Sequence, residues 1–229
     1  MSESSTTQWQ AGSRVWFSWI LMGIAGLTDA VGFLFFAGLY VSFMSGDVTQ
    51  TGIEIGQWNP STAATFLGAQ LLFVCGVAIG HFVPYRVHRL SSAYLMLGES
   101  ALLAVAGTAA VAVPAGQTTT ATVIAFPCTV VAMGIQNAVL HEAGGSPVGT
   151  MLTGTLVRLG RAIATKLSGG PLDVVADFGQ WFFFVCGAVL GTVSYMAIEA
   201  ATLLISATLA FIIAVTLLVA RPQWATGTP

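Results

Sequence analysis

GLTDAVGFLFFAGLYVSFMSGDVTQTGIEI, residues 26–55, is answered without a gap by GIQNAVLHEAGGSPVGTMLTGTLVRLGRAI, residues 134–163. Gly26, Ala30, Val31, Gly46, Gly52 and Ile55 recur at one constant separation as Gly134, Ala138, Val139, Gly154, Gly160 and Ile163. A second block follows three residues out of that register. Gly68, Phe73, Val74, Cys75, Gly76 and Gly80 return as Gly179, Phe184, Val185, Cys186, Gly187 and Gly191. Self-similarity on this scale sets the architecture, so motifs are read only after it. A fainter likeness, with the register shifted again, sets Met96 and Glu99 against Met196 and Glu199.

The composition around the repeat excludes a water-soluble globule. Hydrophobic residues make up 55% of the chain and charged residues 7%, against roughly a quarter charged in an ordinary soluble domain; the mean hydropathy is +0.84. Six apolar stretches, at 15–37, 62–83, 93–113, 121–140, 174–193 and 200–220, are each long enough at about 1.5 Å per residue to cross a hydrocarbon core of about 30 Å. The first twelve residues, rich in Ser, Thr and Gln, read as disordered. The apolar run behind Arg14 is too long for a signal-peptide core and reads as a retained first helix. Residues 13–220 then form one membrane domain, with repeat one at 14–113, repeat two at 121–220 and a tail at 221–229.

Charge sets the expected orientation, because Lys and Arg near span ends are retained in the cytoplasm. All seven cations, Arg14, Arg86, Arg89, Arg158, Arg161, Lys166 and Arg221, fall on one side if the N-terminus is inside. Both termini are therefore expected in the cytoplasm. Three spans per repeat start the second copy on the opposite face, so the copies are inverted, a recurrent plan of secondary transporters. The net charge of -2 and the lack of a basic stripe argue against nucleic-acid binding. Cys75, Cys128 and Cys186 lie within spans in no metal-ligand or CxxC pattern, and no metal or cofactor is implied.

After the first span of each half lies a Gly-broken polar segment, 38–56 and 145–164. Ser146 before Pro147 is a helix start, and the repeat places a matching start near Leu39. These segments read as re-entrant half-helices, tolerated at membrane depth where they line a cavity; amphipathic helices at each interface are the competing reading. Paired interrupted segments point to a transporter's binding site. Ser42, Ser45 and Thr49 on the first, with Thr150, Thr153 and Thr155 on the second, are candidates to direct hydroxyls into it; Gly46 and Gly154 read more readily as close-contact positions. The carboxyl of Asp29, set in an apolar span, is costly to insert and is expected to face the bundle interior. Its repeat mate is Asn137, and Thr28 is matched by Gln136. Asp29 is the candidate coupling group, a protonatable carboxyl or a Na⁺ ligand, with a structural acid bonded to a neighbouring helix as its rival reading. Gln136 and Asn137 are candidate substrate donors. Glu99, within the third span, and Asp47, toward the outer side, are secondary candidates. Gly76 with Gly80, and Gly187 with Gly191, are spaced for close helix approach.

Together Gly26, Asp29, Ala30, Phe33, the run Phe43, Met44, Ser45, Gly46, and the elements Met133, Gly134, Gln136, Asn137, Ala138 and Thr153, Gly154, Thr155, Leu156 resemble the YoaK family of bacterial membrane proteins, long catalogued as a domain of unknown function. The resemblance covers nearly the whole chain. It implies a six-helix inner-membrane protein that carries a small molecule, and names no cargo. Asp47 departs from it, standing where Asn commonly follows the motif glycine. The expected fold is an all-α integral membrane protein, and the expected function is small-molecule secondary transport coupled to H⁺ or Na⁺, with a site near the midplane between the repeats. A channel for a small neutral solute uses the same halves but needs no carboxylate at Asp29. A membrane-embedded enzyme is disfavoured, since no nucleophile, paired-carboxylate or metal-ligand set stands at usable spacing.

Overall fold

The fold, taken from a computed structural model, is described for residues 3–86, 91–112, 118–142, 152–172 and 174–220. These residues form helices and short connections, with no strand among them: α1 (Glu3–Phe35), α2 (Met44–Gly56), α3 (Pro60–Arg86), α4 (Ser91–Ala112), α5 (Thr118–Glu142), α6 (Leu152–Leu167), α7 (Val175–Ile198), a 3-10 turn (Glu199–Ala201) and α8 (Thr202–Ala220). Five apolar stretches are long enough to cross a bilayer, the last running unbroken in hydropathy over 46 residues through α7 and α8. These are the helices of a multi-pass membrane protein. By contrast, α2 with 13 residues and α6 with 16 reach only about 20 and 24 Å, short of the hydrocarbon core.

Local chemistry sets the boundaries. Gly38, at φ 92, ends α1 by donating its N–H to the Phe33 carbonyl at 2.9 Å, a glycine-type helix stop. Trp58 takes φ 59 at the end of α2, and Pro60 then occupies the first position of α3, where its missing N–H costs nothing. The start of α1 at Glu3 differs from the disorder expected for the first twelve residues. No Pro interrupts the Ser/Thr/Gln stretch, and the helical backbone runs on through it. The start of α2 at Met44 also differs from the expected Leu39. Residues 39–43 stay out of helix because the amides of Tyr40, Val41 and Ser42 are taken by carboxylates. The helix start expected at Ser146 lies outside the described residues.

Helix pairing repeats itself. A Cβ on Gly26 of α1 would run into the Phe184 carbonyl of α7; one on Gly134 of α5 would sit 2.5 Å from the Phe73 carbonyl of α3. Gly187 meets Gly23, and Gly76 meets Val131. Each contact recurs with equivalent residues from the other half, so α1 packs on α7 as α5 packs on α3. The glycines serve here as the small residues that let membrane helices touch backbone to backbone.

The directions follow from the contacts. Gly23 and Leu27 meet Gly187 and Gly191 in order, so α1 and α7 run the same way. Gln136 reaches Leu21 while Phe36 stacks edge-on to Phe126, centroids 5.1 Å apart, so α1 and α5 run oppositely. Ser100 donates to the Ala207 carbonyl at 2.8 Å. Around that bond Leu103 joins the core of Leu203, and Met96 that of Ala214, so α4 and α8 also oppose each other. One core cluster, with Leu39, Val41 and Phe126, lies toward α2; the other, with Leu21, Leu95, Leu140 and Leu217, receives Leu152 of α6. The short helices therefore lie at opposite ends of the bundle.

Candidate functional site

The carboxyl of Asp29 does face the bundle interior. It is buried on the last turns of α1, and its Oδ1 accepts the amides of Val41 at 2.9 Å and Ser42 at 2.8 Å. Those amides lie just ahead of α2, so the carboxylate ties the non-helical connection back onto α1. Asp47, on the first turn of α2 and fully buried, accepts the Tyr40 amide at 3.2 Å through Oδ1, while its Oδ2 has no partner. Two carboxylates thus grip one five-residue strap. Burial pushes the Asp47 carboxyl up to about 7, against the pull of the Tyr40 amide and with help from the Asp29 charge. Beyond the strap, Gln70 of α3 donates to Thr51 of α2 at 2.8 Å. No cluster of three His, Cys, Asp or Glu side chains among the described residues could hold a metal ion.

The other candidates divide. Thr28 is buried, its hydroxyl 2.9 Å from that of Ser206 on α8. Gln136, its repeat mate, is buried on α5 and donates to the Leu21 carbonyl of α1 at 3.1 Å, leaving its Oε1 without a partner. Asn137 donates to Met133 one turn back, 3.1 Å. Both side-chain amides expected to meet substrate therefore hold backbone carbonyls, a use no single sequence reveals. Among the described residues, the hydroxyls of the two broken segments are not brought together. Ser45, Thr49 and Thr153 are exposed, Ser42 is buried beside Asp29, Thr155 accepts from Arg158, and α2 packs on α3 while α6 packs on α7. A helix that short offers several faces, and its sequence does not say which one meets the neighbour. Thr150 lies outside the described residues. Gly46 is the close-contact position expected, since a Cβ there would come within 2.9 Å of the Phe43 ring and 3.0 Å of the Tyr40 ring. Gly154 is less crowded, meeting Arg158 Nη1 at 3.5 Å.

The faint match of Glu99 to Glu199 is overturned by the element order. Glu99 lies inside α4, fully buried, with neither carboxyl oxygen partnered; Glu199, at φ 50, opens the 3-10 turn between α7 and α8. In the packing it is Ser206 of α8, and not Glu199, that meets Thr28. Sequence reasoning also missed the pairing of His81 on α3 with His141 on α5, ring centroids 5.6 Å apart. The link from Arg158 of α6 to Asp177 of α7, 2.6 Å, was likewise unforeseen. The histidines were findable, because parallel packing of the repeat helices puts these two positions level.

The halves also differ in how the last helix of each packs. On one side α4 lies tightly along α5; on the other, the equivalent pair α8 and α1 touches sparsely. A groove of about 510 Å³ opens there, lined by Phe17, Ile20 and Leu27 of α1, Phe183 of α7, and Leu209 and Ile213 of α8.

Residues 17–216 match a protein family described as "Protein of unknown function (DUF1275)". The chain belongs to that family, of which the YoaK proteins are members. No curated protein and no solved structure matches it.

Proposed function

We propose that the chain is a small-molecule secondary transporter of the bacterial inner membrane. In this reading it crosses six times as two inverted three-helix halves, each with a broken half-helix, α2 or α6, after its first span. The opposed directions of α1 against α5 and of α4 against α8 support the inversion, as does the exchange of equivalent glycine contacts between halves. Six alternating crossings bring Arg14, the end of α3 and the cations of α6 to one side, which supports cytoplasmic termini.

The observation that carries the reading is that matching helix pairs of the two halves pack unequally, which we read as two different states. The α4 and α5 pair is shut, and the α8 and α1 pair is parted by the groove. Exchanging the two states between the halves would open the opposite face, which is alternating access by rocking of one repeat against the other. The cargo site then lies near the midplane where α1 and α5 cross, flanked by Thr28 with Ser206 and by Gln136, and movement is coupled to H⁺ or Na⁺ through a buried carboxyl. Asp29 serves there by holding the strap before α2.

The test begins with a thermal-shift screen of the purified protein against metabolites, since a ligand of the native state raises apparent stability by mass action. Hits go to proteoliposome uptake under imposed H⁺ or Na⁺ gradients. A cysteine pair at Ile24 and Ile213, in a background lacking Cys75, Cys128 and Cys186, then bridges α1 to α8 across the groove. A carrier stops when bridged and resumes on reduction. Flux that ignores both the gradient and the bridge would assign the protein to the channels.

A further inference from the structure

Three buried oxygens near the centre of the bundle have no hydrogen-bond partner: Oε1 and Oε2 of Glu99 and Oε1 of Gln136. Both side chains are fully enclosed, Glu99 at 0% and Gln136 at 1% exposure. They belong to helices packed tightly along each other. Met96 shares one core cluster with Ile135, Val139 and Leu140, and Leu103 shares the other with Val130 and Met133. Glu99 lies between Met96 and Leu103 on one face of α4, so it falls at the level of Gln136 on α5. One N–H of the Gln136 amide donates to the Leu21 carbonyl, 3.1 Å away, and neither Glu99 oxygen receives a hydrogen bond. Unpartnered acceptors enclosed in an apolar interior are costly, and an ionised carboxylate among them costs more.

Among the described residues, the elements packed on α4 and α5 bring no cation to the site. α8 carries no ionisable side chain. α5 carries Cys128, His141 and Glu142, each more than a turn from Gln136. The 3-10 turn brings Glu199 to the far end of α4. α3, which touches α4 lightly, carries Cys75 and His81, with Arg86 as its last residue. On α1, Arg14 and Asp29 lie about two turns to either side of Leu21. The equivalent place in the other half shows what a satisfied version looks like: the hydroxyls of Thr28 and Ser206, each able to donate and accept, pair at 2.9 Å.

We infer that the missing group is a proton, and that Glu99, paired with the amide oxygen of Gln136, is the site at which this protein binds and releases H⁺. A proton on one carboxyl oxygen turns an acceptor into a donor, and needs no cavity. When α4 leaves α5, water reaches the carboxyl. The O–H bond then breaks heterolytically, the proton passes to water, and the carboxylate keeps the electron pair and is solvated. The inference rests on the transporter reading, whose exchange of states would part α4 from α5, and it names H⁺ as the coupling ion and Glu99 rather than Asp29 as its carrier.

The full-length protein in phosphatidylcholine vesicles, grown with carboxyl-¹³C glutamate, is compared by infrared spectroscopy with unlabelled protein at neutral pH. A protonated-carboxyl stretch that shifts with the label and is lost in Glu99→Gln is expected; Gln136→Leu, which removes the acceptor, moves that band to higher frequency. The wild type also loses melting temperature relative to Glu99→Gln as pH rises, because the neutral variant has no proton to surrender. Absence of a label-sensitive protonated band in the wild type overturns the inference whatever the variants do, as does a melting difference that stays constant with pH. Uptake of a screened solute that responds to a pH gradient equally in wild type and Glu99→Gln defeats the proton site and leaves the transporter standing. Loss of the gradient response in Glu99→Gln alone supports both.

Discussion

Replacing Gly134 with Ala tests the backbone-to-backbone packing. The added Cβ would lie 2.5 Å from the Phe73 carbonyl oxygen and 2.9 Å from the Gly76 Cα, where ordinary contact begins near 3.4 Å. Both obstacles are backbone, so no rotamer change relieves them and α3 must retreat from α5 by about 1 Å. Overpacking of this kind costs about 1–3 kcal/mol, offset by about 1 kcal/mol from alanine's better helix propensity. Gly160→Ala on α6, where nothing lies within 4 Å, has the propensity gain alone. The two variants are therefore expected to differ by about 1–3 kcal/mol in stability, with Gly134→Ala the weaker. Thermal unfolding in one detergent, followed by tryptophan fluorescence, reads the order. Gly26→Ala, which meets the Phe184 carbonyl, should repeat the loss in the other half. If Gly134→Ala melts at or above Gly160→Ala, the helices are not in the contact described and the symmetry drawn from it fails.

Asp29→Ala leaves the amides of Val41 and Ser42 without an acceptor, at about 1–3 kcal/mol for each buried donor, whereas Asp29→Asn keeps one oxygen there. Alanine is expected to melt well below asparagine, and equal melting would refute the strap. Asp47, pushed up to about 7 by burial, holds its proton more tightly in the fold than an ordinary carboxyl. Its contribution is therefore complete below the ordinary carboxylate range and is lost as pH rises through 7. Relative to Asp47→Asn, the melting temperature of the wild type should fall over that interval and level off above it; a rise would reverse the sign assigned here.

What could be read in advance depended on whether a residue's meaning was local. Gly26, Gly76, Gly134 and Gly187 were legible because a glycine at a repeated position in an apolar helix has few uses other than close approach. The apolar stretches were legible because length and hydropathy are summed along the chain. Leu39 failed as a helix start because the decision belongs to Asp29 and Asp47, whose capture of three amides is a tertiary event. Glu99 was set against Glu199 by a drifting register, and only the packing of α4 on α8 brings Ser206 to the corresponding place. The hydroxyls of Ser45, Thr49 and Thr153 were given a shared direction that helix spacing alone does not supply.

The reversal between α7 and α8 has a consequence for how the chain is made. Only three residues separate two apolar helices that form one 46-residue apolar stretch. No hydrophilic loop is present to be threaded across ahead of the second helix, so the pair must enter lipid as one hairpin, bent at Glu199. Until that hairpin arrives, α1 and α4, made earlier, lack the helices α7 and α8 that pack on them, which makes completion of the last helices the step at which assembly of the whole bundle is decided.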